Sequence, residues 1–271
     1  MDDDLRMKIT ASGYLPSGES YAVSELGTPP EAISTTLPTI NAATGGGIWP
    51  GAVWAIVGAR GQGATNISLQ IALEAVSAGK EALVVNDHVH AAALGQRVRA
   101  MLRQADGATS IEEANRLSPR FASWVPDPTT SDTGGYAWNM FNIDPSLIVL
   151  DTITDADGPP SPWRDSAAHL ERLRHWRGWA RQTGRSILTT VRLPDTASGR
   201  SPSQDAWKKH VARQGVVETC DVVLWLESRR NEDERRTHLN VLASRIGPTA
   251  QIEIHQNHKD LRTREVLTMR R

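Results

Sequence analysis

Apolar residues recur along this chain in two distinct patterns. "GAVWAIVG" (51–58), "EALVVND" (81–87), "PSLIVLD" (145–151), "RSILTTV" (185–191) and "CDVVLWLES" (220–228) are short, nearly unbroken apolar runs. Their length and branched side chains predict strands buried on both faces. Between them lie longer segments with helical spacing. "TNISLQIALEAVSAG" (65–79) has apolar residues at Ile67, Ile71, Leu73, Ala75 and Val76, as a buried helix does, and stops at Gly79, a usual helix terminator. "AAALGQRVRAMLRQ" (91–104) and "DSAAHLERLRHWRGWARQTG" (165–184) read the same way, the latter with Leu170, Leu173, Trp176 and Ala180 along one face. Three further strand-like pieces, "THLNVLASRIG", "AQIEIHQN" and "REVLTM", close the chain. Strands alternating with helices predict an α/β domain: a mostly parallel sheet flanked by helices, with a C-terminal antiparallel extension. Residues 1–36 are polar and broken by Gly and Pro ("LPSGES", "LGTPPEA"), which predicts a flexible N-terminal arm ahead of one domain over 37–271. Residues 105–144 and 193–214 carry no clear period and are expected to be irregular.

Composition adds limits to this picture. The chain has 271 residues, enough for one large core, and a formal net charge of −1, so bulk charge makes no case for a nucleic-acid partner. The charge is unevenly spread. Residues 164–213 hold eleven Arg or Lys against four acids, and residues 1–40 hold six acids against two bases. A single cysteine, Cys220, excludes an intrachain disulfide and suits a reducing cytoplasm. No apolar run has the length of a membrane span, and "MDDDLRMKIT" lacks the features of a signal peptide, so no membrane partner is expected. The eight histidines have no zinc-like spacing beside cysteine, and no G-x-S-x-G nucleophile turn occurs.

The candidate chemistry sits at "GARGQGATN" (58–66). A glycine-rich turn between a buried strand and a helix N-terminus is suited to holding phosphate, because its N–H groups converge and the helix dipole adds positive charge. Gly58 and Gly63 bracket the turn, and Gly61 lies within it. Thr65 stands where a magnesium-binding hydroxyl belongs. The lysine that would bridge β- and γ-phosphates is replaced by Ala64, which counts against ordinary hydrolysis. Arg60 is the one cation in the loop.

The stretch "TINAATGGGIWPGAVWAIVGARGQGATNISLQIALEAVSAGKEALVVN" resembles the motor domain of replicative hexameric DNA helicases, within the RecA-like P-loop ATPases. The Gly45-Gly46-Gly47 and Pro50-Gly51 entry and the Gly58-Ala59-Arg60 loop start carry the likeness. "SLIVLD" resembles the family's acid-ending strand, which puts Asp151 at the magnesium-directed position together with Thr65. "GVVETCDVVLWLE" resembles a segment with acids at Glu218 and Asp221. "LASRIGP" resembles the segment that reaches a neighbouring subunit's nucleotide, with Arg245 at the finger arginine and Ala243 near the lysine. The likeness spans about residues 37–258. Departures gather at the chemistry: Ala64 replaces the lysine, Asp87 stands by the expected catalytic glutamate, and Arg192 falls near a polar sensor.

The resemblance implies a degenerate nucleotide-site protein of DNA replication or recombination. ATP and Mg²⁺ would bind weakly or not at all at Gly58, Arg60, Gly61, Gly63, Ala64 and Thr65, and the residual catalytic groups would be Asp87, Asp151 and Arg245. It further implies a homo-oligomer, a replication or recombination protein partner, and contact with single-stranded DNA through loop 193–214, whose cations are Arg200, Lys208, Lys209 and Arg213. Two other functions fit the sequence: an active DNA translocase with a rearranged site, and a scaffold that uses the fold only for protein contacts.

Overall fold

The computed structural model describes residues 31–86, 91–102, 121–124, 144–154, 166–193, 215–230, 235–257 and 259–266. Nine strands form one sheet: β1 (Val53–Gly58), β2 (Ala82–Asn86), β3 (Phe121–Trp124), β4 (Leu147–Thr154), β5 (Ser186–Arg192), β6 (Val222–Arg230), β7 (Arg235–Ser244), β8 (Gln251–Gln256) and β9 (Thr263–Glu265). Their order is β3-β2-β4-β5-β1-β6-β7-β8-β9. Strands β1 to β6 pair in parallel, and β7, β8 and β9 continue the sheet antiparallel. A mixed sheet with a parallel core and an antiparallel C-terminal part is what the alternation of apolar runs predicts.

The helices among the described residues are α1 (Pro38–Ala43), α2 (Ala64–Ser77), α3 (Ala91–Leu102), α4 (Ser166–Thr183) and α5 (Val216–Thr219). They cover the sheet from two sides, and the strands alternate between two cores. Trp54 and Ile56 of β1 join Val222, Leu224 and Leu226 of β6 in the core that contains Ile67 and Ile71 of α2. Val53, Ala55 and Val57 turn the other way, to Val223, Trp225 and the α4 residues Leu173 and Ala180. Every residue of β1 is buried, which explains why it reads as a continuous run instead of an alternating one.

Three elements differ from expectation. β3 lies inside the stretch 105–144 read as irregular; four residues (Phe121–Trp124) are too few to reveal a period, and pairing with β2 defines the strand. α1 and α5 are short helices that the apolar pattern does not mark. Within the polar stretch read as an arm, residues 31–36 are described; Ile33 is buried and bridges Ile48 in antiparallel fashion.

Candidate functional site

The parallel strands β1, β2, β4 and β5 end together, and the glycine loop leaves β1 at that edge. Ligand clefts in open α/β sheets lie beyond such carboxyl ends. In the register of the sheet Asn86 pairs with Asp151 and Gly58 pairs with Arg192. The loop begins as a tight turn in which the Gln62 N–H donates to the Ala59 carbonyl (3.2 Å). Gly61, third of the four turn residues, has φ +75° while Arg60 does not enter the left-handed region. That combination is the signature of a type II turn, where glycine is favoured. Gly63 then takes φ +96° as the N-cap of α2, with Ala64 the first helical residue.

Asp151, almost fully buried, is the hub of the site. One carboxylate oxygen accepts from the Thr65 hydroxyl (3.1 Å) and from the Thr190 hydroxyl (2.6 Å). The other accepts from the Asn86 side-chain amide (2.6 Å). Donors from α2, β2 and β5 thus converge on the acid that ends the apolar run of β4. A buried carboxylate held by several donors is well satisfied. Sequence reading brought Thr65 and Asp151 forward as a pair, and the structure places them in contact. It adds Asn86 and Thr190, whose signal was a polar residue near the end of an apolar strand. Arg192 is two residues beyond Thr190, the β5 position that makes the polar contact.

The Thr65 and Asp151 oxygens, 3.1 Å apart, fit the edge of a magnesium octahedron, where neighbouring ligand oxygens stand about 3 Å apart. The loop itself fits triphosphate less well. Ala64 supplies no cation, and the Ala59 N–H donates to the Gln62 side-chain oxygen (2.8 Å). Gln62 is buried, and its carboxamide lies against Gly58. Gln256, the last residue of β8, donates from its side chain to the Gln62 carbonyl (2.9 Å). Neither glutamine carries a sequence signal. Arg60 is exposed on the loop.

Arg245 lies elsewhere. It follows β7 at the amino-terminal ends of β1 and β6, where its backbone N–H donates to the Asp221 carbonyl (2.9 Å) and its guanidinium to the Glu218 carbonyl at the end of α5. Asp221 is buried there. It accepts from the Val53 N–H (2.9 Å) and faces Arg177 (3.3 Å) and Arg181 (3.6 Å) of α4. Val53 and Gly58 are the two ends of β1, so this cluster stands roughly 16 Å from the loop, five strand steps away. Burial first, then the adjacent Asp221, pushes the Cys220 thiol up to about 12, against the opposing pull of Arg177 and Arg245. Asp87, Arg200, Lys208, Lys209 and Arg213 lie outside the described residues.

The fold and site define an α/β protein whose single mixed sheet carries a glycine turn and a buried acid at one edge. No protein-family model matches this chain, and a search of curated proteins finds no significant match. Among the described residues no group of three or more His, Cys, Asp or Glu side chains is arranged to hold a metal ion, and no helix is long and apolar enough to cross a membrane.

Proposed function

We propose that the protein is a RecA-like nucleotide-site protein that retains the frame of a phosphate loop and has given up efficient hydrolysis, acting in DNA replication or recombination through binding. The observation that carries this reading is the Thr65–Asp151 contact at 3.1 Å, made directly beside a loop whose lysine position is Ala64. A hydroxyl at a helix start and an acid at the end of the next-but-one strand form a magnesium-phosphate frame. The sheet order supports the reading, because β5 separates β4 from β1 and so leaves room above it between acid and loop. Arg60 is the cation nearest the phosphate position in sequence. The link to DNA rests on the likeness to helicase motors and on the cations of loop 193–214.

Without the lysine, the charge that develops on transferred phosphate has no fixed counter-charge in this chain's loop. Phosphate release from Mg·ATP, measured with and without single-stranded DNA, is expected to stay below about 1 s⁻¹, the lower end of ordinary enzyme rates. DNA-stimulated turnover at or above that rate would establish a translocase instead. Ala64→Lys is expected to tighten nucleotide binding more than it raises turnover.

A further inference from the structure

We propose that Gln62 is a built-in occupant of the glycine loop and Gln256 its latch, so that an anion enters the loop only by displacing the Gln62 carboxamide. This rests on the loop being the nucleotide site. Two hydrogen bonds close residues 59–62 on themselves, one from the Gln62 N–H to the Ala59 carbonyl and one from the Ala59 N–H to the Gln62 side-chain oxygen. The second uses a neutral oxygen as acceptor at the mouth of the loop, against Gly58. Convergent loop N–H groups would otherwise serve a phosphate oxygen.

The latch is held from behind. Gln256 pairs with Thr263 across β8 and β9. Thr263 exchanges two hydrogen bonds with Gln70 of α2, donating its N–H (2.7 Å) and accepting at its carbonyl (3.0 Å). Arg262 donates to the Met101 carbonyl at the end of α3 (2.8 Å). The C-terminal hairpin is therefore seated on α2 and α3. From it the Gln256 side chain reaches the Gln62 carbonyl and lies where a β-carbon on Gly63 would be. Loop, helix and hairpin form one hydrogen-bonded unit, and the loop opens at the expense of contacts on both its flanks.

The test is isothermal titration of the full chain with pyrophosphate and with Mg·ATP, using wild type, Gln62→Ala, Gln62→Glu and Gln256→Ala. Gln62→Ala is expected to bind pyrophosphate about tenfold more tightly than wild type, the factor set by one hydrogen bond that no longer has to be broken. Gln256→Ala should fall between the two. Gln62→Glu, of the same shape but anionic, should bind no better than wild type. Thermal shifts with pyrophosphate give an independent readout, because a ligand that binds only the folded state raises the midpoint. Should Gln62→Ala fail to fold, Gln256→Ala still tests the latch, and affinity equal to wild type overturns the proposal. Equal, measurable affinity for wild type and all variants overturns the occupant while leaving the nucleotide site standing. Absence of binding by every variant overturns the nucleotide site and this proposal with it.

Discussion

Gly63 meets two separate demands: a left-handed backbone at φ +96° and room for the Gln256 side chain. A β-carbon there would meet only the terminal carboxamide of Gln256, which can swing aside at the loss of its bond to the Gln62 carbonyl, so the backbone conformation is the stronger demand for glycine. Cys220 shows how burial sets chemistry at a single residue. Its thiol is raised from 9.0 to about 12 by burial and by Asp221. The neutral form is the one the fold favours, so the stability linked to it is complete below the unfolded-state value of about 9. It is lost as pH rises from there toward 12. Wild type should therefore lose more stability between about pH 9 and 11 than Cys220→Ala does, as read from denaturant midpoints. Thiol reagents at pH 8 should react only as fast as the protein opens, and prompt labelling would show that the thiol is accessible.

At the scale of elements, the amino-terminal ends of β1 and β6 meet the carboxyl-terminal half of α4 at Asp221, which takes the Val53 N–H and two arginines. Asp221→Ala would strand a backbone donor and leave Arg177, mostly buried, without its acid. Removing one partner of a buried pair typically costs about 3–5 kcal/mol, and urea unfolding should show a loss in that range. Arg245→Ala removes one exposed guanidinium contact to the Glu218 carbonyl and should cost no more than about 1 kcal/mol. A loss for Arg245→Ala as large as that for Asp221→Ala would make Arg245 a structural residue. The elements that join here were unequally legible. β1 and β6 stand out because strands buried on two faces need apolar residues at every position. α5 does not, since four residues (Val216–Thr219) hold less than two turns of pattern. β3, equally short, exists through its pairing with β2.

For the whole molecule, the distance between the Arg245 end of the sheet and the glycine loop bears on assembly. Within one chain the two are separated by the length of β1, so an arginine at 245 meets a phosphate in such a loop only across a head-to-tail contact between copies. Such contacts close into rings or extend as filaments. The function proposed above carries the expectation of a homo-oligomer. Light scattering across a concentration series should then give a mass above that of one chain, and Arg245→Ala should lower it without unfolding the protomer. A wild-type mass equal to one chain at all micromolar concentrations would remove the interface.

The order of apolar runs was sufficient for the class of fold. Segments 51–58 and 145–151 are short, branched apolar runs flanked by Gly or Pro, which marks strands, and 65–79 is long enough to be a helix. The glycine spacing, Thr65, the absent lysine and the acid of Asp151 were likewise local facts. Whether those residues meet was not. Thr65 and Asp151 are 86 positions apart, Asn86 and Asp151 are 65 apart, and Gln256 lies 194 positions from Gln62. Contacts over such separations depend on sheet order and register, which pattern does not encode. A glutamine in a polar loop and another at a strand end look like solvated residues in the sequence. The hairpin that carries Gln256 over α2 makes them neighbours, and packing of the whole sheet decides that the loop is closed by its own side chain.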